Sequence, residues 1–220
     1  MITIDEIKKN PLVMEFLQQS KSSLEAQGYT EHGLKHAQIV ADRARMIAEK
    51  IRLTKEEQKL SEIAGFCHDI GNFLSRSYHH YLGALIFQQI FSQNFTPEEL
   101  SSIMQAISSH DKSESEFSNN VAAVLVLADK SDVRVSRVLN KNAENLKEDI
   151  HDRVNYATKS SEIKVDEKKK RITLVLEIDT NLDPIIEYFE IFTERMVVCR
   201  KAAQYLDYKF GLIINDFKLL

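Results

Sequence analysis

Apolar residues recur at helical spacing through the first two thirds of the chain, and alternation takes over only late. In NPLVMEFLQQSKSSLEAQG, residues 10–28, Pro11 stands in a first turn and Gly28 where a left-handed C-cap residue belongs. HGLKHAQIVADRARMIAEKI, residues 32–51, puts Ala37, Val40, Ala41, Ala44, Ile47, Ala48 and Ile51 on one helical side. Thr54 to Glu57 (TKEE) has the form of a capping box. The helix it opens carries Leu60, Ile63, Ala64 and Cys67 and is closed by Gly71. Thr96 to Glu99 (TPEE) repeats the device, with Pro97 at the first helical position and Leu100, Ile103, Met104 and Ile107 turned inward. Helical lines also run through HHYLGALIFQQIF, and further helices are predicted over roughly Asn119–Leu139 and Ala143–Ala157.

The period then changes. SEIKVDEKKKRITLVLEID reads as a β-hairpin about the charged turn Glu167 to Lys170. A long helix follows, with Asp183 as N-cap and Pro184 at its first position, ending near Leu206 or Tyr208. The expected organisation is a helical domain, residues 1–158, with a ββα appendage, residues 159–220, packed on it. On the long helix Ile185, Ile186, Phe189, Phe192, Met196 and Cys199 point inward, while Tyr188, Val197 and Val198 widen the band. That width serves either a homodimer or the parent domain.

Composition narrows the function classes. A formal charge of −4 over 220 residues gives no general attraction to nucleic acid polymers or anionic membranes. Any anionic substrate has to be held by a local positive site, and the basic run Lys168 to Arg171 reads as a solvated turn. The longest apolar run, Val121 to Ala128, falls far short of the ~20 residues that span a bilayer. The first residues lack an apolar stretch of signal-peptide length, and two cysteines, Cys67 and Cys199, make no disulfide framework. A cytoplasmic protein is expected.

Seven histidines occur: His32, His36, His68, His79, His80, His110 and His151. His68 continues the Leu60–Ala64–Cys67 face, His110 that of Ile103 and Ile107, and His36 shares a side with Val40 and Ala44. His79 lines up with Leu82, Ile86 and Ile90, and His80 with Ala84, Phe87 and Phe91, so periodicity does not choose between them. One inward imidazole is ordinarily a core residue, but several near the ends of different helices suggest a common site. Asp129 ends a run apolar on every side, and a buried carboxylate must be paired or bound to a metal. Neighbours on a helix point ~100° apart, so His68 and Asp69 reach one place only where the helix ends, as Gly71 predicts. Imidazoles and carboxylates together suit manganese, iron, cobalt, nickel or zinc, and magnesium less well.

At His36, the pair His68-Asp69 and Asp129, within LKHAQIVADRA, AGFCHDIGN and VLVLADKSDV, the chain resembles the HD-domain superfamily of metal-dependent phosphohydrolases. The resemblance covers about Glu31 to Arg137. It implies a mainly α fold, an HD-type helical bundle, here followed by the small C-terminal hairpin and long helix. HHYLGALIF and AISSHDKSE are similar to the segments that supply two more histidines in dinuclear members. There the first histidine commonly stands four before a glycine, which selects His79, and His110 is the second. By this resemblance His36, His68, Asp69 and Asp129 hold one divalent transition metal and Asp69 bridges to a second held by His79 and His110; a mononuclear site is the alternative. Asn72 stands where the cyclic-dinucleotide branch has lysine, His110-Asp111 where it has two histidines, and its Gly-Tyr-Pro signature is absent. A branch that hydrolyses symmetrical dinucleoside polyphosphates shares the six-ligand layout.

The activity so implied is hydrolysis of a small phosphorylated substrate, a phosphomonoester or phosphoanhydride, nucleotide-like, by a water made acidic on the metal. Asp111 and His80 are candidates for moving the leaving-group proton. Lys130, Arg134 and Arg137 fall on one face if the helix continues past Asp129, and there they either meet phosphate or form a solvated stripe. Asp132, three residues after Asp129, is a candidate to orient Lys130 or Arg134, or to belong to the site itself. His151 and Arg153 are weaker candidates for the pocket wall, and the hairpin for closing one side of it. The competing class is a regulatory or partner-binding module that keeps the metal without turnover.

Overall fold

The computed structural model describes residues 2–111, 116–138, 150–182 and 184–220. The chain is mainly α-helical. Helices α1 (Ile4–Lys8), α2 (Pro11–Ala26), α3 (Leu34–Lys50), α4 (Lys55–Cys67), α5 (His79–Phe91), α6 (Pro97–Ser109) and α7 (Asn120–Lys130) precede α8 (Ile150–Ala157), strands β1 (Thr158–Asp166) and β2 (Arg171–Ile178), helix α9 (Ile185–Tyr205), and strands β3 (Lys209–Ile214) and β4 (Phe217–Lys218). Both capping boxes form, Thr54 with Glu57 and Thr96 with Glu99, and Gly28 takes the left-handed φ of 81°. No helix among the described residues is long and apolar enough to cross a membrane.

The apolar run explains the architecture. Every residue of α7 from Val121 to Asp129 is buried, and α3, α4, α6 and α9 all pack against it. A helix apolar on all sides belongs at the centre. Helices α3 and α4 meet face to face because both are thin where they touch: a Cβ on Gly65 would lie 2.9 Å from Cα of Ala41. That close approach sets His36 of α3 opposite His68.

Several expectations are corrected here. The helix from Asn119 stops at Lys130, and a 3-10 turn, Val135–Arg137, follows, so Lys130, Arg134 and Arg137 do not share a helical face. Of the helix expected over Ala143–Ala157, only Ile150–Ala157 falls within the described residues, and Asp183 and the side chain of His151 lie outside them. Pro184 is the N-cap of α9 rather than its first residue. The hairpin is present, but the sheet has four strands in the order β1-β2-β3-β4, with β2 and β3 parallel across α9 and the other pairs antiparallel. The extra strands come from KFGLIINDFKLL, where Phe210, Leu212 and Ile214 alternate inward and Asn215-Asp216 turn at positive φ, the form of a tight hairpin turn. On α9, Ile186 is exposed whereas Tyr188 and Val198 are buried, so the wide band mostly covers the chain's own core.

Candidate metal centre

His68 is the C-cap of α4, and Asp69 stands one residue past the helical geometry. The helix thus ends at Cys67, four residues before Gly71, and the glycine serves another purpose. A Cβ there would lie 2.2 Å from the carbonyl oxygen of His79 and 2.6 Å from the amide nitrogen of Gly83. Gly71 lets the start of α5 sit directly on the turn that carries Asp69, which is how His79 arrives. His110 enters as the C-cap of α6 and Asp129 from the last turn of α7.

Four imidazoles converge with one tautomer. Nδ1–H donates to the carbonyl of Gly65 from His68 (2.8 Å), of Arg76 from His79 (2.7 Å) and of Ile107 from His110 (2.7 Å). His36 donates likewise to Oδ2 of Asp132 at 2.7 Å, a carboxyl that burial would raise but His36, Arg137 and Arg134 hold below the usual carboxylate range. Each Nε2 is therefore left as an acceptor. Yet Nε2 of His36 lies 3.2 Å from that of His68, and Nε2 of His79 lies 3.1 Å from that of His110. Two such nitrogens approach this closely only with a proton or a metal ion shared between them.

Asp69 stands between the two pairs. Its Oδ2 is 3.4 Å from Nε2 of His68 and 3.7 Å from Nε2 of His36, while Oδ1 is 3.5 Å from His79 and 3.8 Å from His110. Asn72 donates to Oδ1 at 2.8 Å and fixes the carboxylate's rotation. Asp129 closes the first group, with Oδ1 3.2 Å from His36 and 3.6 Å from His68. Donor atoms of His36, His68 and Asp129 lie within 4.8 Å of one another, as do those of His68, Asp69 and His110. These clustered imidazole and carboxylate donors fit the binding of divalent metal.

Electrostatics follow from this crowding. Burial opposes charge on His68, but Asp69 and Asp129 outweigh it and push the imidazole up to about 9. Burial and the neighbouring His110 take His79 down to about 3. Burial alone would raise the carboxyls of Asp69 and Asp129, but His68 and His32 hold Asp69, and Lys130, His36 and His68 hold Asp129, well below the usual range. One end of the cluster thus carries a proton that a metal would displace, and the other is already neutral.

The remaining candidates divide. Lys130 lines the cleft, bonded to Asp111 at 2.8 Å and Asp129 at 2.9 Å, and Asp111 sits 3.8 Å from Nε2 of His79. Arg137 also lines the cleft, held by the carbonyls of Asp132 at 2.8 Å and Glu31 at 3.2 Å. Arg134 is drawn away to Asp132 at 2.8 Å and Glu31 at 3.2 Å and does not line it. His80 is buried and contacts the rings of its sequence neighbours His79 and Tyr81, but does not line the cleft. Arg153 pairs with Glu187 of α9 at 2.6 Å, away from the site. The sequence reading passed over three lining residues: His32, Arg76 and Arg195. His32 Nδ1 lies 2.7 Å from Oδ2 of Asp69, and its place four residues before His36 was a usable signal. Arg195 comes from α9, so the helix, not the hairpin, supplies the C-terminal part of the wall.

Residues 33–134 match the family model described as HD domain, and a search of curated proteins returns no match. The matched segment runs from the residue before α3 to just beyond Asp132, taking in His36, His68, Asp69, His79, His110 and Asp129. Residues 33–134 of the chain are thus an HD domain, a family whose members are generally hydrolases that bind divalent metals.

Proposed function

We propose that this chain is a metal-dependent phosphohydrolase acting on a small phosphorylated compound, a phosphomonoester or phosphoanhydride of nucleotide type, in the cytoplasm. The observation that carries the reading is Asp69, whose two oxygens face two different histidine pairs. The position suits a carboxylate shared by two ions, although one ion held at the His36–His68 end remains the simpler form. Divalent ions held there would supply a nucleophilic water near neutral pH and offset charge growing on the phosphoryl group. The chain's own part is orientation. Asn72 and His32 hold the two oxygens of Asp69, and main-chain carbonyls and Asp132 hold the imidazoles. Lys130 and Arg137 offer N–H groups to phosphoryl oxygens from the cleft wall. Asp111, kept ionised by Lys130 against its burial, is placed to receive a proton; His80 is not among the residues that line the cleft. Two buried free cysteines among the described residues agree with a reducing compartment.

The test is metal analysis of the purified protein beside Asp69→Ala, run with a panel of phosphomonoesters, nucleoside polyphosphates and symmetrical dinucleoside polyphosphates. Stoichiometric transition metal and turnover on one class, both lost in the variant, are expected. Metal without turnover on any member would leave a binding module instead. No metal after growth in supplemented medium would end the proposal.

A further inference from the structure

The cleft over the histidines is lined, among the described residues, by four cations: Arg76, Lys130, Arg137 and Arg195. Three already hold protein partners with some of their N–H groups. Lys130 sits between Asp111 and Asp129, Arg137 donates to two main-chain carbonyls, and Arg76 approaches Asp111 at 3.6 Å while leaning over the ring of Tyr29. Arg195 differs. Its guanidinium lies over the ring of Phe192 at 4.5 Å and has no carboxylate or carbonyl partner among the described residues. Burial and the nearby Arg137 both lower its pKa, with Asp129 and Asp111 only partly offsetting them. A half-buried guanidinium that lines the cleft, with the carboxylates of Asp111 and Asp129 near but not paired with it, is left with hydrogen-bonding capacity for a further anion.

We infer that Arg195 is an anion-recognition residue, delivered to the cleft by α9, that takes the phosphoryl oxygens of the substrate left uncovered by the His/Asp cluster. This rests on the phosphohydrolase reading. The guanidinium fork suits two oxygens of one phosphoryl group, whereas Lys130 offers a single point of charge. Helix α9 lies outside residues 33–134 and packs on α7, the helix that ends in Asp129 and Lys130. The C-terminal unit thus completes the substrate side of a site whose metal donors all lie elsewhere.

The experiment is calorimetric titration of inorganic phosphate into the full chain, metal-loaded and metal-free, for wild type, Arg195→Gln, Arg195→Lys and Arg200→Gln. Arg200 is exposed on the same helix and serves as the control. Loss of a charged hydrogen bond predicts phosphate binding weakened roughly tenfold to a hundredfold in Arg195→Gln, with metal content and melting temperature unchanged. Arg195→Lys should retain part of the affinity, and Arg200→Gln all of it. Equal affinity in wild type and Arg195→Gln overturns the inference, as does a wild type that binds no phosphate. Failure of the metal reading shows separately, as a chain without stoichiometric metal whose phosphate affinity still depends on Arg195.

Discussion

His36 gives its Nδ1–H to Oδ2 of Asp132 at 2.7 Å, and that bond decides which nitrogen of His36 faces the cluster. The other three imidazoles are fixed by main-chain carbonyls that no side-chain substitution removes; this one depends on a side chain. Asp132→Asn keeps the shape and removes the charge. Loss of such an orienting partner typically weakens metal binding roughly tenfold to a hundredfold. Metal titration followed by competition with a chelator measures it, with far-ultraviolet circular dichroism as the check on folding. Unchanged affinity would mean that packing alone orients the ring.

The helical half of this site was legible because helix faces are periodic. His68 and His110 continue apolar faces, and the run before Asp129 could only be central, so all three were readable as inward groups. What a period of 3.6 does not report is where a helix stops. Lys130, Arg134 and Arg137 seemed to share a face only while α7 was carried past Ser131; the chain turns there, and Arg134 goes to Asp132 and Glu31. Gly71 was read as a helix break and is instead a contact point between two segments, a tertiary fact with no local signature. Arg195 was invisible for the same reason, being remote in sequence from every other residue that lines the cleft. Strand β3 is a different case, since Phe210, Leu212 and Ile214 alternate plainly beside an Asn-Asp turn.

Histidines at the two ends of Asp69 should be separable. His110→Ala removes a donor from the His79 end and leaves His36, His68 and Asp129 as they were. A chain that holds two ions should then hold one, by elemental analysis, while His36→Ala should lower binding at the other end. If His110→Ala loses all metal, the two ends act as one site and the bridging geometry of Asp69 has been misread.

Metal uptake should release a proton. His68, held near 9 by Asp69 and Asp129, is protonated at pH 7 without metal, whereas His79, near 3, is already neutral. A ligating imidazole must give up that proton. Uptake at pH 7 should therefore release about one proton, and affinity should rise about tenfold per pH unit until pH nears 9, then level. The sign for stability without metal follows from the same shift. A raised histidine pKa contributes fully below the unfolded value near 6.5 and is lost as pH rises through about 9, so metal-free protein should melt lower at pH 9 than at 6.5. Calorimetry in buffers of differing ionisation enthalpy counts the proton. Uptake without release would place the proton elsewhere.

Gly71→Ala should damage the site from outside the donor set. Its Cβ would meet backbone, the carbonyl of His79 at 2.2 Å and the amide of Gly83 at 2.6 Å, and backbone cannot swing aside as a side chain can. The first turn of α5 must shift, taking His79 from His110. Overpacking of this kind costs about 1–3 kcal/mol, and here the lost contact with Asp69 adds to it. Gly28→Ala is the useful comparison: nothing lies within 4 Å of its Cβ, and the cost comes only from a φ of 81°, about 1–2 kcal/mol. Denaturant unfolding of both variants beside metal analysis separates the mechanisms. Both should be destabilised, but only Gly71→Ala should lose metal at the His79 end. Full loading in Gly71→Ala would show that α5 can move without carrying its histidine away.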